Sequence, residues 1–339
     1  MNRITTSYFS LGLIVGVLLT VFAFSLLSNS RSELGSDSQT KVLKLSHTLD
    51  QSHPVHLAME FMRDRLAEKS GGLVVIEIFP NGQLGTETET IEQVQRGVLA
   101  MVKASVAPME AFTPEMGVFG LPYLFRDEDH FWKVLNGPIG KELLALGEPS
   151  GLHGLMFYES GSRSFYTIDK PILTPNDLDS HKIRVMRSKM SMDMISQMGG
   201  SPTPIPFGEL YTALQQGMVD GAENNAPSFE TSRHYEVAKH YSLDEHTRIP
   251  DIVLFSQSIW ELLAPHEKAW VQEAADESVV FQRELWRVET QNSLERLQEN
   301  GVTVYRPNKE PFLKKMAPMY ERFEGTPIGS LVERIREVR

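Results

Sequence analysis

An arginine set inside an apolar strand is the feature of this sequence best able to do chemistry. Arg184 stands between Ile183 and Val185 in the run Lys182-Ile-Arg-Val-Met186. A guanidinium does not lose its charge in a protein, and the strands of a covered sheet are normally continuous apolar runs, so this side chain requires an anion. Its planar fork matches a carboxylate through two parallel hydrogen bonds. At the carboxyl end of a strand it points into the crevice where open α/β sheets bind ligands. Spacing leaves two readings open: a holder of a ligand carboxylate, or one half of an internal ion pair with one of the 44 acidic residues.

Other candidates gather around it in smaller ways. Arg163, in Glu159-Ser-Gly-Ser-Arg-Ser-Phe-Tyr166, is expected on a glycine-containing loop just past a strand end, either reaching the same crevice or lying solvated at the surface. Asn224 follows Val219-Asp-Gly-Ala-Glu and reads as a turn residue with a donor and an acceptor to offer, or as a backbone cap. Glu87 opens a helix and either accepts from hydroxyls or complements the helix dipole. His47, His53 and His56 cluster at the first strand–helix junction. They raise a zinc site as an alternative, although their spacing puts no triad on one helix face. His47, at the strand's carboxyl end, is read instead as a donor to a sugar hydroxyl or as internally satisfied.

The elements that position these residues follow from periodicity. Strands are expected at 42–46, 73–79, 98–104, 155–158, 182–186 and 252–257. Helices are expected at 54–69, 86–96, 129–146, 191–198 and 207–216, with Gly71-Gly72, Gly199-Gly200 and Gly217 as stops. The alternation indicates an α/β fold with largely parallel sheet. After Pro265 there is neither proline nor glycine up to Asn300, so one helix of roughly 50 Å is expected from Pro265 to Asn300, long enough to brace two lobes.

With 339 residues, two lobes are the natural division. The formal net charge of -11 argues against nucleic acid or an anionic membrane surface as partner. With no cysteine, the chain has no disulfide, no thiolate metal site and no cysteine nucleophile. Nor does it carry a nucleophile elbow, a phosphate loop, a dinucleotide glycine pattern or a metalloprotease helix, so it reads as a non-enzymatic binding protein without a cofactor. Residues 1–30 combine Arg3 with an uncharged apolar run and read as an export signal, removed by cleavage or kept as an anchor; 31–40 read as a polar linker. The body then begins near Lys41, outside the cytoplasm.

Taken in order, Pro80-Asn-Gly-Gln-Leu-Gly85, Phe119-Gly-Leu-Pro-Tyr123, Asp177-Leu-Asp-Ser-His-Lys-Ile-Arg-Val185, Gly200-Ser-Pro-Thr-Pro204, Glu209-Leu-Tyr-Thr-Ala-Leu-Gln-Gln-Gly217 and Val219-Asp-Gly-Ala-Glu-Asn224 resemble the solute-binding subunit of tripartite ATP-independent periplasmic (TRAP) transporters. The likeness runs from Lys41 to about Phe323; the pair Ser180-His181 departs from it where Gly-Leu or Gly-Lys is common. It implies a two-lobed periplasmic binding fold with a hinge, a cleft site and a long bracing helix, lobe I being 41–161 plus 250–289 and lobe II 162–249 plus 290–339. It implies that Arg184 binds the ligand carboxylate together with Arg163 and Asn224, and that integral membrane subunits of the transporter are partners. The segments 222–229 and 234–246 look like those of hexuronate-binding members. That likeness adds His47, Glu87 and His246 as polar contacts and Phe207 as a wall for the sugar ring. Sialic acid and C4-dicarboxylates, or an exported uronate hydrolase or lyase, are the competing functions.

Overall fold

The computed structural model describes residues 40–339. The expected signal and linker therefore lie outside the described residues. No helix among the described residues is long and apolar enough to cross a membrane.

In chain order the elements are β1 (Lys41–Ser46), α1 (Pro54–Lys69), β2 (Val74–Phe79), α2 (Glu87–Gln95), β3 (Met101–Ser105), α3 (Glu128–Asn136), α4 (Pro138–Ala145), β4 (Leu152–Tyr158), β5 (Arg163–Thr167), β6 (Lys182–Val185) and α5 (Lys189–Met198). They continue as β7 (Ser201–Pro204), α6 (Leu210–Gln215), β8 (Gly221–Asn224), α7 (Ala226–Thr231), β9 (His240–Thr247), β10 (Asp251–Ser256), α8 (Gln257–Leu262), α9 (Pro265–Glu299), β11 (Thr303–Tyr305), α10 (Glu310–Glu321) and α11 (Pro327–Glu337). The strands form two sheets, of order β2-β1-β3-β10-β4 and β11-β9-β5-β8-β6-β7.

Three expectations need correction. The sheets are mixed rather than largely parallel: β10 runs antiparallel to both β3 and β4, and β5 runs antiparallel to both β8 and β9. These antiparallel strands follow two of the places where the chain crosses between sheets, 159–162 and 248–250, and each of these crossings delivers a strand in the opposite sense. Arg163 and Asn224, expected on a loop and a turn, sit on β5 and β8. Gly221-Ala-Glu-Asn224 has no β-branched residue, and its extended form is set by partners on both sides. The helix expected at 129–146 breaks at Gly137 and restarts with Pro138. A proline has no N–H for the preceding turn but suits the first position of a new one.

The long helix is present as expected, with 35 residues in α9. It packs on α1 and β4 beside the first sheet and on α7 beside the second. Where it passes the first crossing, buried Gln282 donates from Nε2 to the Glu159 carbonyl at 2.9 Å and accepts the Glu159 N–H at 2.9 Å. Gly161 there has φ 61°, and a Cβ on it would come within 3.0 Å of the Trp286 indole nitrogen. Only glycine adopts this turn easily against so close a neighbour. The C-terminal helices strap both sheets' layers: α10 packs on α5, whereas α11 packs on α4 and the turn at 114–120.

Candidate functional site

Two adjoining pockets lie between the sheets and share Thr48, Glu87, Arg184, Met186 and Phe207 as walls. The inner one is small, about 30 Å³; the outer one holds about 240 Å³ and opens beside Arg187 and Pro206. Five of the seven expected site residues, Arg184, Arg163, Asn224, Glu87 and Phe207, line these walls.

Arg184 projects from β6, whose neighbours β7 and β8 both run parallel to it. It is 2% exposed, its Nε donates to the Ile205 carbonyl at 2.8 Å, and its guanidinium carbon stands 5.9 Å from the centroid of the Phe207 ring. Nη1 is buried without a hydrogen-bond partner, and no carboxylate of the described residues forms an ion pair with this side chain. Burial lowers its pKa despite the opposing fields of Tyr166 and Glu223. The internal ion pair that its sequence context allowed is therefore absent among the described residues. A buried cation left this way is costly unless an anion arrives.

Arg163 presents a different picture. Nε and Nη2 grip the Glu223 carboxylate, Nη2 also reaches the Glu223 carbonyl at 2.6 Å, and Nη1 donates to Asn224 Oδ1 at 2.8 Å. Burial would raise the Glu223 carboxyl, but Arg163 and His246 outweigh it and hold it at about 2. Asn224 Oδ1 also accepts the Asn225 N–H at 2.9 Å, which leaves its amide donors toward the cavity. Capping of α7 falls instead to Asn225, whose side chain accepts from Ser228 N–H at 2.8 Å.

Glu87 reaches the cavity because its neighbours do the capping. Thr86 and Glu89 form a reciprocal capping box at the start of α2, and Glu87 is left to accept the Ser105 N–H at 2.9 Å from the end of β3. Phe207 lies in a short 3-10 turn and is held edge-on by His234, centroids 5.5 Å apart. Burial and the Arg184 charge press His234 down to about 3, so it is a neutral ring, joined through Nδ1 to the Tyr166 hydroxyl at 2.8 Å.

His47 and His246 stand outside these walls. His47 uses both ring nitrogens internally: Nδ1 accepts the Leu49 N–H at 3.1 Å and Nε2 meets His56 Nδ1 at 2.9 Å. Burial and the Lys103 charge hold it at about 2. His246 stands behind Glu223, with Nδ1 2.8 Å from Asp244 and Nε2 3.6 Å from Glu223, the latter beyond hydrogen-bond reach. Burial would lower its pKa, yet the two carboxylates hold it up at about 9. His53 turns to Ser228 Oγ at 3.1 Å and caps α1 through Nδ1, so the three histidines do not converge on one point. The described residues contain no group of three metal-ligating side chains able to hold a metal.

Two cavity residues carry no expectation from sequence. Lys103 on β3 and Asp251 at the start of β10 form a buried ion pair at 2.7 Å. Lys103 sits in Met101-Val-Lys-Ala-Ser105, the same anomaly of a cation in an apolar strand that marks Arg184, and that signal was available. Burial raises the Asp251 carboxyl to about 6 against the pull of Lys103.

Two mixed sheets with flanking helices, a cleft between them and one long helix behind define a two-lobed periplasmic solute-binding fold, and comparison makes this particular. The chain belongs to family 7 of the bacterial extracellular solute-binding proteins (DctP), whose pattern matches residues 45–326. This is a transport family and not an enzyme family. Among solved structures, a TRAP periplasmic solute-binding protein of Bradyrhizobium in complex with α/β-D-galacturonate is 42% identical, covering 88% of this chain and 100% of its own with a TM-score of 0.85. One from Xanthobacter autotrophicus Py2 with β-D-galacturonate is 39% identical, with the same coverage and TM-score. One from Roseobacter denitrificans with β-D-glucuronate is 37% identical, again with the same coverage and TM-score.

Proposed function

We propose that this chain captures a hexuronate, glucuronate or galacturonate, outside the cytoplasm and hands it to the membrane subunits of a TRAP transporter. The observation that carries the reading is the charge balance of the inner cavity. Three cations line it: Arg163 is matched by Glu223, Lys103 by Asp251, and Arg184 alone has no carboxylate among the described residues. One unmatched guanidinium asks for one carboxylate, and a second would meet Asp251 and Glu87. A uronate supplies one carboxylate and several hydroxyls, which Asn224, Glu87 and Asp251 are placed to bond while Phe207 lies against the ring. The bound solutes of the three similar structures support the same choice.

In this reading Arg184 takes the carboxylate, and Arg163 acts mainly by fixing Asn224 and Glu223. His47 and His246 act at one remove, His246 by backing Glu223. Lobe I (41–161 plus 250–289) and lobe II (162–249 plus 290–339), with α11 reaching back onto the first, close about the crossings at 159–162 and 248–250. The ligand leaves chemically unchanged.

A thermal-shift and calorimetric screen across glucuronate, galacturonate, sialic acid and succinate tests this, since a ligand bound only by the folded state raises its stability. The hexuronates are expected to give the largest shift and to be recovered intact after incubation. A shift with succinate and none with either hexuronate overturns the assignment; turnover of uronates or oligouronates overturns its non-enzymatic part.

A further inference from the structure

The two buried ion pairs of the cavity are built to one plan. In the second sheet Arg163 lies two residues before Phe165, the register partner of Glu223; in the first sheet Lys103 lies two residues before Ser105, the register partner of Asp251. Each cation thus reaches diagonally across an antiparallel pair to an acid on the neighbouring strand, a span long side chains cover. They differ in how far the acid is used up. Glu223 gives both oxygens to Arg163, has His246 behind it and is 1% exposed. Asp251 is held by Lys103 through Oδ2 alone, makes no other side-chain bond among the described residues and keeps 5% exposure on the cavity wall.

We propose that the Lys103–Asp251 pair is a specificity element: by facing the ligand from the sheet opposite Arg184, it admits a hydroxyl-bearing end and rejects a second carboxylate. The inference rests on the uronate reading and goes beyond it by naming what excludes the aldarate, the same sugar skeleton with a carboxylate at each end. A hydroxyl can donate to the free oxygen of Asp251. A carboxylate there has no proton to give, is repelled by Asp251 and finds Lys103 already neutralised. Removing the Asp251 charge alone leaves Lys103 as a second unmatched cation facing the ligand, which suits an aldarate.

Calorimetry of galacturonate and galactarate on the wild type, on Asp251→Asn and on Lys103→Gln/Asp251→Asn tests this. The wild type is expected to prefer galacturonate by tenfold or more. Asp251→Asn should narrow that preference by at least tenfold, and the double variant, which removes the stranded Lys103 charge and leaves Glu87 in place, should restore it. Equal affinity of the wild type for the two acids overturns the inference even if neither variant folds, as does an unchanged ratio in a folded Asp251→Asn protein. A wild type that binds galacturonate keeps the uronate reading whatever the ratio. One that binds neither acid overturns the inference, and overturns the uronate reading as well when glucuronate also fails to bind.

Discussion

Arg163 and Glu223, on adjacent antiparallel strands, are joined through both carboxylate oxygens and the Glu223 backbone carbonyl, so neither side chain retains its main charge for a ligand. The pair is a fixed strut beside the cavity, and its value should appear in stability. Glu223→Gln is expected to cost about 3–5 kcal/mol in denaturant unfolding, because it strands a buried guanidinium. The double variant Arg163→Met/Glu223→Leu should recover most of that loss. Additive losses in the double-mutant cycle would show that the two do not act as a pair.

Arg184 should behave in the opposite way. With no anion paired to it among the described residues, it weakens the ligand-free protein and strengthens the bound one. Arg184→Met is expected to raise the melting temperature without ligand while lowering hexuronate affinity by about 3–5 kcal/mol, more than a hundredfold. A lower melting temperature in the ligand-free variant would identify Arg184 as a structural cation instead.

Acid should loosen this protein through its buried histidines. His47, His53 and His234 are buried and held far below 6.5, so the unfolded chain binds protons that the folded one refuses. Their contribution is full above pH 6.5 and falls as pH drops below it, on the order of 1 kcal/mol per pH unit for each. His246 works the other way: held up at about 9, it stabilises fully below pH 6.5 and loses that contribution as pH rises toward 9. His246 is already at its full contribution over most of this range, and Asp251, raised to about 6, opposes the fall as a single group, so three histidines against one carboxyl give a stability that falls from pH 7 to pH 5, measurable by urea unfolding across that range. His53→Gln should flatten the slope; an unaltered slope would remove His53 from the account.

Closure should depend on Glu110, which caps a helix that belongs to the other sheet's layer. Its Oε2 accepts from Ser188 Oγ at 2.7 Å and from Met190 N–H at 3.1 Å at the start of α5. Glu110→Ala is expected to weaken ligand binding about tenfold, mainly through faster dissociation, since a cap of this kind is worth about 1 kcal/mol. Stopped-flow release of a hexuronate checks it, and an unchanged dissociation rate counts against a closing role.

Much of this molecule was legible in its residues taken locally. The anomaly of Arg184 needed only its two neighbours, and the brace α9 only the absence of proline and glycine over 266–300. The helix expected at 86–96 was likewise found within its own stretch of chain, as α2. Such features are decided within one or two turns of chain, where propensity, capping and periodicity act. The tertiary structure decided what those features face. Whether Arg163 met a ligand or Glu223, whether Asn224 or Asn225 took the cap, and whether Lys103 found Asp251 all depended on the register of β5 with β8 and of β3 with β10. Those strands pair with segments far along the chain, and a slip of one residue would turn every one of these side chains to the opposite face of its sheet. Sequence alone thus determined that a buried cation required an anion; only the pairing of distant strands determined that, among the described residues, Arg163 and Lys103 have theirs and Arg184 does not.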